Sequence, residues 1–300
     1  MSAATASLAH AILRVGSKQS YFTARLMVDK NLVNDFCRAY AYFRWADDVI
    51  DVFSSSDDER ISFIERQKRL VDSFYKKERP GDLVPEEKIA ADLISHDKGE
   101  NSGLQSFIRN MLAIIEFDAN RKGRLISQQE LTWYTNRLGK SVIDGIQYFI
   151  GNGHPYPTTD NRSLAAIAAH IAHLLRDMVR DTADGFINIP REYLESNGIS
   201  PEDIDHPKFI AWVKDRVQLA RQYFRMGKLY INQLEVLRCR IVGLWYCARF
   251  ESVLDTIERD GYLLRARYNE KRKLSTWLRI VWLFPSVSFQ HIFSRGLRDA

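Results

Sequence analysis

Three carboxylates, Asp47, Asp48 and Asp51, crowd the end of a segment from Tyr40 to Asp51 that is otherwise aromatic and aliphatic apart from Arg44. Read as a helix, the segment puts Asp47 and Asp51 one turn apart on one face, with Asp48 at its edge. Like charges at that spacing repel, and the arrangement is tolerable where water or a cation offsets the repulsion. Carboxylate oxygens on neighbouring turns suit a hard divalent ion such as Mg²⁺, which keeps several of its waters. A solvated acidic helix end would show the same three residues. Phe36, Tyr40, Phe43 and Ala46 recur at spacings of three and four, however, so one side of the helix is buried and the acids sit near its inner face.

A second group lies further along. His173, Asp177 and Asp181 follow one another at intervals of four and make one polar stripe on a helix, flanked by Ile171, Leu174, Leu175 and Met178. Taken alone, Asp177 and Asp181 could simply pair with Arg176 and Arg180 at the surface. Two acid-lined helices facing each other could instead hold metal ions, and a ligand bridging those ions must be anionic and rich in oxygen. A diphosphate is the commonest biological fit.

Helix-period apolar spacing predicts elements at 18–28, 31–52, 57–78, 103–122, 127–150, 161–184, 208–235, 238–268 and 274–283, so the chain reads as all-α. Breaks fall at 54–58, 79–82, 95–103, 151–157 and 197–201, and none resembles a long linker. The two acidic helices lie on opposite sides of the loops at 79–103 and 151–160, which argues for one domain over residues 1–300. The 300 residues are 45% hydrophobic, ample for a core, and 43 basic against 38 acidic residues give +5, a modest excess that suits an anionic ligand or membrane surface. No basic stripe with exposed aromatics and no zinc or helix-turn-helix motif points to nucleic acid. Cys37, Cys239 and Cys247 lack paired spacing and read as reduced core thiols, which places the protein in the cytoplasm. The first 17 residues lack the pattern of a secretory signal, and no segment reaches membrane-span length. Arg265, Arg267, Lys271, Arg272, Lys273 and Arg279 lie beside and within a run bearing Trp277, Ile280, Val281, Trp282, Leu283 and Phe284, the composition of an interfacial anchor in a tail at 271–300. An ordinary terminal helix packed on the core is the alternative.

With both clusters in view, the chain resembles the squalene/phytoene synthases, the head-to-head branch of the isoprenyl diphosphate synthases. The likeness runs from about Ser17 to Leu283. It is carried by Arg44-Trp-Ala-Asp-Asp-Val-Ile-Asp51, by Leu175-Arg-Asp-Met-Val-Arg-Asp181 with Asn188-Ile-Pro-Arg-Glu-Tyr-Leu194, by Ser17-Lys-Gln-Ser-Tyr21, and by Glu258-Arg-Asp-Gly-Tyr262 with Lys271-Arg-Lys-Leu274. The resemblance implies a single helical bundle of the isoprenoid-synthase type around a central cavity, and two prenyl diphosphates, farnesyl or geranylgeranyl, joined head-to-head. It implies Mg²⁺, with Mn²⁺ as a substitute, on Asp47, Asp48 and Asp51 for one diphosphate and on Asp177 and Asp181 for the other. Arg44 and Arg176 would neutralise phosphate oxygens, Lys18 and Ser20 would contact phosphate, and Tyr134 and Tyr40 would match family tyrosines, although either could be a core residue with a satisfied hydroxyl. Phe36, Tyr40, Phe43, Ile143, Ile146, Phe149 and Ile171 would keep the cation dry. NADPH enters only if the product is squalene.

The chain also departs from the family pattern. Asn136 and Lys140 replace a tyrosine and a glycine, His170 and His173 replace a glutamine and an asparagine, Arg180 stands at a commonly acidic position, and Phe186 stands where an arginine often binds phosphate. All lie around the second diphosphate site. Lys140 and Arg180 could supply the charge that Phe186 does not, and His173 could bind metal or a neighbouring side chain. Two alternatives therefore stay open: a terpene synthase that ionises a single prenyl diphosphate, and a non-catalytic lipid-binding or assembly protein. Prenyl chain length and oligomeric state are not legible.

Overall fold

The computed structural model describes residues 3–53, 56–78, 80–97, 99, 101–154 and 156–268. Among these residues eleven α-helices follow one another: α1 (Ala3–Gly16), α2 (Lys18–Leu26), α3 (Val33–Asp48), α4 (Asp57–Tyr75), α5 (Pro85–Ser95), α6 (Gly103–Arg121), α7 (Gln128–Phe149), α8 (Leu164–Ala183), α9 (Arg191–Asn197), α10 (Pro207–Gln233) and α11 (Leu237–Arg259). Among the described residues there is no strand, only an isolated bridge between Ile126 and Pro190. The all-α expectation holds. The expected helix at 274–283, the basic run from Lys271 and the tail at 271–300 lie outside the described residues.

Three helices escaped the pattern. α1 carries apolar residues on its exposed side as well as its buried one, so no single apolar face marks it. α5 starts with Pro85 at its first position, and the Glu87 carboxylate accepts the Val84 N–H at 3.1 Å, so a loop was expected where an eleven-residue helix stands. α9 is only seven residues long. In the other direction α11 stops at Arg259 rather than running to 268, because Gly261 and Tyr262 turn the backbone left-handed at φ +67° and +66°.

The chain packs as two compact units, one of residues 1–120 with 144–153, the other of 121–143 with the described residues from 154 onward. In the first unit α3 is central, with α1, α2 and α5 against it. A buried polar network joins α3, α4 and α5. The Tyr42 hydroxyl donates to Gln67 Oε1 at 3.1 Å, Gln67 Nε2 donates to Glu87 Oε1 at 2.9 Å, and Arg66 makes two 2.8 Å bonds to the same carboxylate. Every acceptor needed by these buried donors is therefore supplied from within the unit. Phe36, Phe43, Phe107 and Phe149 meet edge to face at centroid distances of 5.3 to 6.3 Å and fill its core.

In the second unit α8 is held between α10 and α11. Two glycines allow the approach. A Cβ on Gly227 of α10 would lie 2.4 Å from the Ala165 backbone nitrogen, and one on Gly139 of α7 would lie 2.5 Å from Ile167 Cγ1. The loops after α6 and α8 are pinned together by Gly123 N–H to the Gly185 carbonyl at 2.8 Å and Arg191 N–H to the Ile126 carbonyl at 2.7 Å. Among the described residues, Cys37, Cys239 and Cys247 are buried and not in disulfides, as expected of core thiols.

Candidate active site

In the first unit, α3 delivers Arg44, Asp47 and Asp48, and its last turn opens into a π-turn over Val49–Phe53 that carries Asp51. The turn bearing Asp51 is thus wider than the α-helical one its sequence suggests, a distortion that recurs at functional sites. Asp47 is open to solvent, yet its carboxyl is pushed up to about 7, first by hydration lost to the surrounding protein and then by the charges of Asp51 and Asp118. Arg44 Nε donates to Asp48 Oδ2 at 3.0 Å, and a second guanidinium N–H closes the pair on Oδ1. The guanidinium is thus paired with Asp48, while Asp47 carries the repulsion of Asp51 and Asp118.

Tyr40 projects over the end of α1, where a Cβ on Gly16 would come within 2.7 Å of its hydroxyl. Burial pushes that hydroxyl up, against the opposing charge of Arg44 and a bond with Ser17. Ser17 also caps α2, accepting the Ser20 N–H at 3.1 Å and donating to Ser20 Oγ at 2.9 Å. Lys18 is exposed on the first turn of α2.

In the second unit the stripe on α8 is real, and it is dense in cations. Asp177 Oδ2 receives His173 Nε2 at 2.9 Å, Arg176 Nη2 at 2.5 Å and Arg180 Nη2 at 3.2 Å, while Arg176 Nε reaches Oδ1 at 2.9 Å. These partners outweigh its burial and hold the Asp177 carboxyl well below the usual carboxylate range. Asp181 goes the other way. Burial and then the Asp177 charge push it up to about 6, against Arg180 and His173.

A ring of aromatic and cationic side chains adjoins this stripe. Tyr134 lies with its ring 5.2 Å from His170, and the Arg121 guanidinium sits 4.9 Å from the Tyr134 ring and 5.3 Å from that of Phe186. Lys122 Nζ is 5.5 Å from Phe186, and Arg121 Nη1 donates to Asn188 Oδ1 at 2.8 Å. His170 is buried with neither ring nitrogen hydrogen-bonded. Burial, then His173 and Arg121, hold its pKa well below 6.5, so the ring is neutral.

The donor set fits a hard cation. Both carboxylate groups contain an acid raised toward neutrality by burial and then by its neighbours' charge, and a divalent ion would supply countercharge there. Among the described residues, no three His, Cys, Asp or Glu side chains converge into a closed metal-binding cluster.

The sequence profile of the squalene/phytoene synthases matches residues 13–277. The chain belongs to the squalene/phytoene synthase family. Members of this family are prenyltransferases. Among curated proteins, the chain is similar to bifunctional lycopene cyclase/phytoene synthases. One, from Podospora anserina, is 24% identical over 235 residues, 68% of this chain and 38% of that protein. Another, from Leptosphaeria maculans, is 20% identical over 289 residues, 88% of this chain and 48% of that protein. The chain thus spans less than half the length of either relative. In fold it is similar to a dehydrosqualene synthase, with a TM-score of 0.71 at 18% identity and 95% of both chains covered. It is also similar to the squalene synthase HpnC from Alicyclobacillus acidocaldarius, with a TM-score of 0.67 at 19% identity, 87% of this chain and 96% of that one.

Lys18, Ser20, Tyr40, Arg44, Asp47, Asp48 and Asp51 belong to the first unit, and Tyr134, His173, Arg176, Asp177, Arg180 and Asp181 to the second. Four residues of these groups were not anticipated. Asp118 adds charge to the first, and Arg121, Lys122 and Asn188 surround Phe186 and Asp181 in the second, with Asn188 Nδ2 3.4 Å from Asp181 Oδ2. Arg180 turns to Asp177 and Asp181 rather than to Phe186. His173 binds Asp177, the side-chain alternative left open for it.

Proposed function

We propose that the chain joins two prenyl diphosphates head-to-head, releasing diphosphate, as a phytoene-, squalene- or dehydrosqualene-type synthase. The observation that carries this reading is that each unit holds an acid raised first by burial and then by neighbouring carboxylate charge, beside an arginine-bound one: Asp47 next to Arg44–Asp48, and Asp181 next to Asp177 with Arg176 and Arg180. Such a pattern of paired acids and guanidinium forks suits a polyphosphate whose charge grows as it leaves.

Mg²⁺, or Mn²⁺ in its place, would be held through one or two of Asp47, Asp48 and Asp51 in the first group, with Asp118 adding negative charge nearby, and by Asp177 and Asp181 in the second. When bound it supplies positive charge to the phosphate oxygens. Arg44 and Arg176 would exchange their carboxylate partners for phosphate oxygens, which match the guanidinium fork equally well. Arg121 and Lys122 would add positive charge next to Tyr134, and Tyr134 with the neutral His170 would offer polar contacts in an otherwise aromatic wall. The phenylalanines of the first unit would exclude water from the reacting carbons.

A second reading rests on Asp177, whose carboxylate is already engaged by three cationic or hydrogen-bonding side chains. A second group so occupied would suit an enzyme that ionises one prenyl diphosphate and cyclises or hydrates it. Incubation with farnesyl or geranylgeranyl diphosphate and Mg²⁺, with and without NADPH, followed by mass spectrometry of extracted hydrocarbons, separates the two. A C30 or C40 product supports coupling, a C15 or C20 terpene supports the second reading, and unchanged substrate refutes both.

A further inference from the structure

α1 is apolar on two sides. Its inner stripe, with Ala9 and Leu13 fully buried, faces α3 and α5. Its outer stripe, Ala4, Leu8, Ala11 and Val15, steps by four, three and four residues and is exposed along its length, with Val15 89% exposed. A helix that is apolar all round is ordinarily covered all round. Past the Ser17 turn, α2 continues the theme: Phe22 and Leu26 stand one turn apart at 53% and 63% exposure, with Lys18 one turn before them. Exposed Arg14 and Arg25 flank these side chains, and residues 1–28 contain three cations and no Asp or Glu.

We propose that α1 and α2 form a docking face for the surface of a membrane rich in anionic phospholipid. This face is separate from the tail at 271–300. The charge decides among occupants. Two copies meeting through this face would bring Arg14, Lys18 and Arg25 together with no carboxylate in the segment to answer them. An anionic headgroup layer offers each of them a countercharge and offers Leu8, Val15, Phe22 and Leu26 the boundary of the acyl chains. Exposed apolar residues on each of two successive helices, with cations beside them, are the combination an interfacial segment needs.

The test is flotation of the full chain with vesicles of phosphatidylglycerol and phosphatidylcholine, compared with phosphatidylcholine alone. The wild type should float with the anionic vesicles at low salt and less as salt rises. Leu8→Ser/Val15→Ser/Leu26→Ser should lose flotation, and Arg14→Gln/Arg25→Gln should weaken it by roughly fivefold per charge removed. Melting temperatures should stay at the wild-type value, and if the serine variant melts early the glutamine variant, which removes no buried group, carries the test. The proposal is overturned if the wild type stays below the gradient or if both variants float as the wild type does. It is equally overturned if sedimentation shows a dimer that Val15→Ser dissociates while anionic vesicles recruit nothing.

Discussion

Arg121 lies across Phe186, its guanidinium carbon 5.3 Å from the ring centroid, and the same guanidinium donates to Asn188 Oδ1 at 2.8 Å. Arg121, at the end of α6, thus brings a guanidinium to Phe186, the position where the family pattern has an arginine. Arg121→Ala should lower kcat/KM for the prenyl diphosphate by about tenfold to a hundredfold, the scale of one lost hydrogen bond to a charged group of about 1.5–3 kcal/mol. Arg180→Ala should cost less, because Arg180 is spent on Asp177 and Asp181. Steady-state kinetics of both variants checks the order, and the reverse order would return the role to Arg180.

Asp47 gives the ligand-free protein a pH dependence with a definite sign. Its folded carboxyl is raised from 3.8 to about 7, so the native state holds this proton over a range where the unfolded chain has released it. Stability therefore falls as pH rises from about 4 to 7 through this group, and Asp181, raised to about 6, acts in the same direction. Glu87 opposes them at the acid end. Although buried, its carboxyl is held low by Arg66, Gln67 and the Val84 N–H, so its contribution is present above its unfolded pKa and lost on acidification. The difference between wild type and Asp47→Asn isolates the first effect. The variant should melt higher than wild type at pH 8 and near it at pH 4, and a pH-independent difference would remove Asp47 as the source.

If the crowded acids of the first group hold a cation, that cation should stabilise the protein, and more at pH 8 than at pH 5, where Asp47 is protonated. Binding at a hundred times the dissociation constant contributes about 2.7 kcal/mol. Mg²⁺ should therefore raise the melting temperature of the wild type measurably, and Asp118→Asn and Asp47→Asn should each shrink the rise. Both variants and wild type treated with EDTA should lose most turnover. Full turnover in EDTA would refute the metal reading whatever the melting data showed.

The long helices were legible because each has one buried face, and the period of that face survives in the sequence. α8 is the clearest case, since Ile171, Leu175 and Met178 are buried and His173, Asp177 and Asp181 follow the opposite edge. α1 was illegible for the opposite reason, having apolar residues on both sides. α9 is too short to repeat a period, and α5 stands between the polar breaks at 79–82 and 95–103, although Pro85 and Pro190 mark their starts. At the candidate site, residues inside a motif were found and residues brought to it by folding were not. Asp118 and Arg121 sit three residues apart on the last turn of α6, remote in sequence from both acidic motifs. A cation on a helix end looks like an ordinary favourable charge there, and only the packing of the loops after α6 and α8 gives it Phe186 as a neighbour. The π-turn at Asp51 is likewise a property of the folded backbone that spacing alone reads as one more α-helical turn.

The position of α8, and with it Asp177 and Asp181, depends on two glycines of unequal rigidity. A Cβ on Gly227 would meet the Ala165 backbone nitrogen at 2.4 Å and its Cβ at 2.7 Å, so only movement of a whole helix relieves the clash. A Cβ on Gly139 would meet Ile167 Cγ1 at 2.5 Å, the movable part of a side chain, while the nearest backbone atom stays 3.3 Å away. Alanine gains about 1 kcal/mol over glycine in a helix interior, which offsets part of either cost. Overpacking costs about 1–3 kcal/mol where side chains can adjust and more where they cannot. Gly139→Ala should therefore change stability by no more than about 2 kcal/mol, and Gly227→Ala should cost about 3 kcal/mol or more. If α8 shifts in the second variant, kcat should fall with stability, because the carboxylates move with the helix. Denaturant unfolding of the two variants reads the difference directly, and equal losses would mean that α10 yields as easily as the end of an isoleucine.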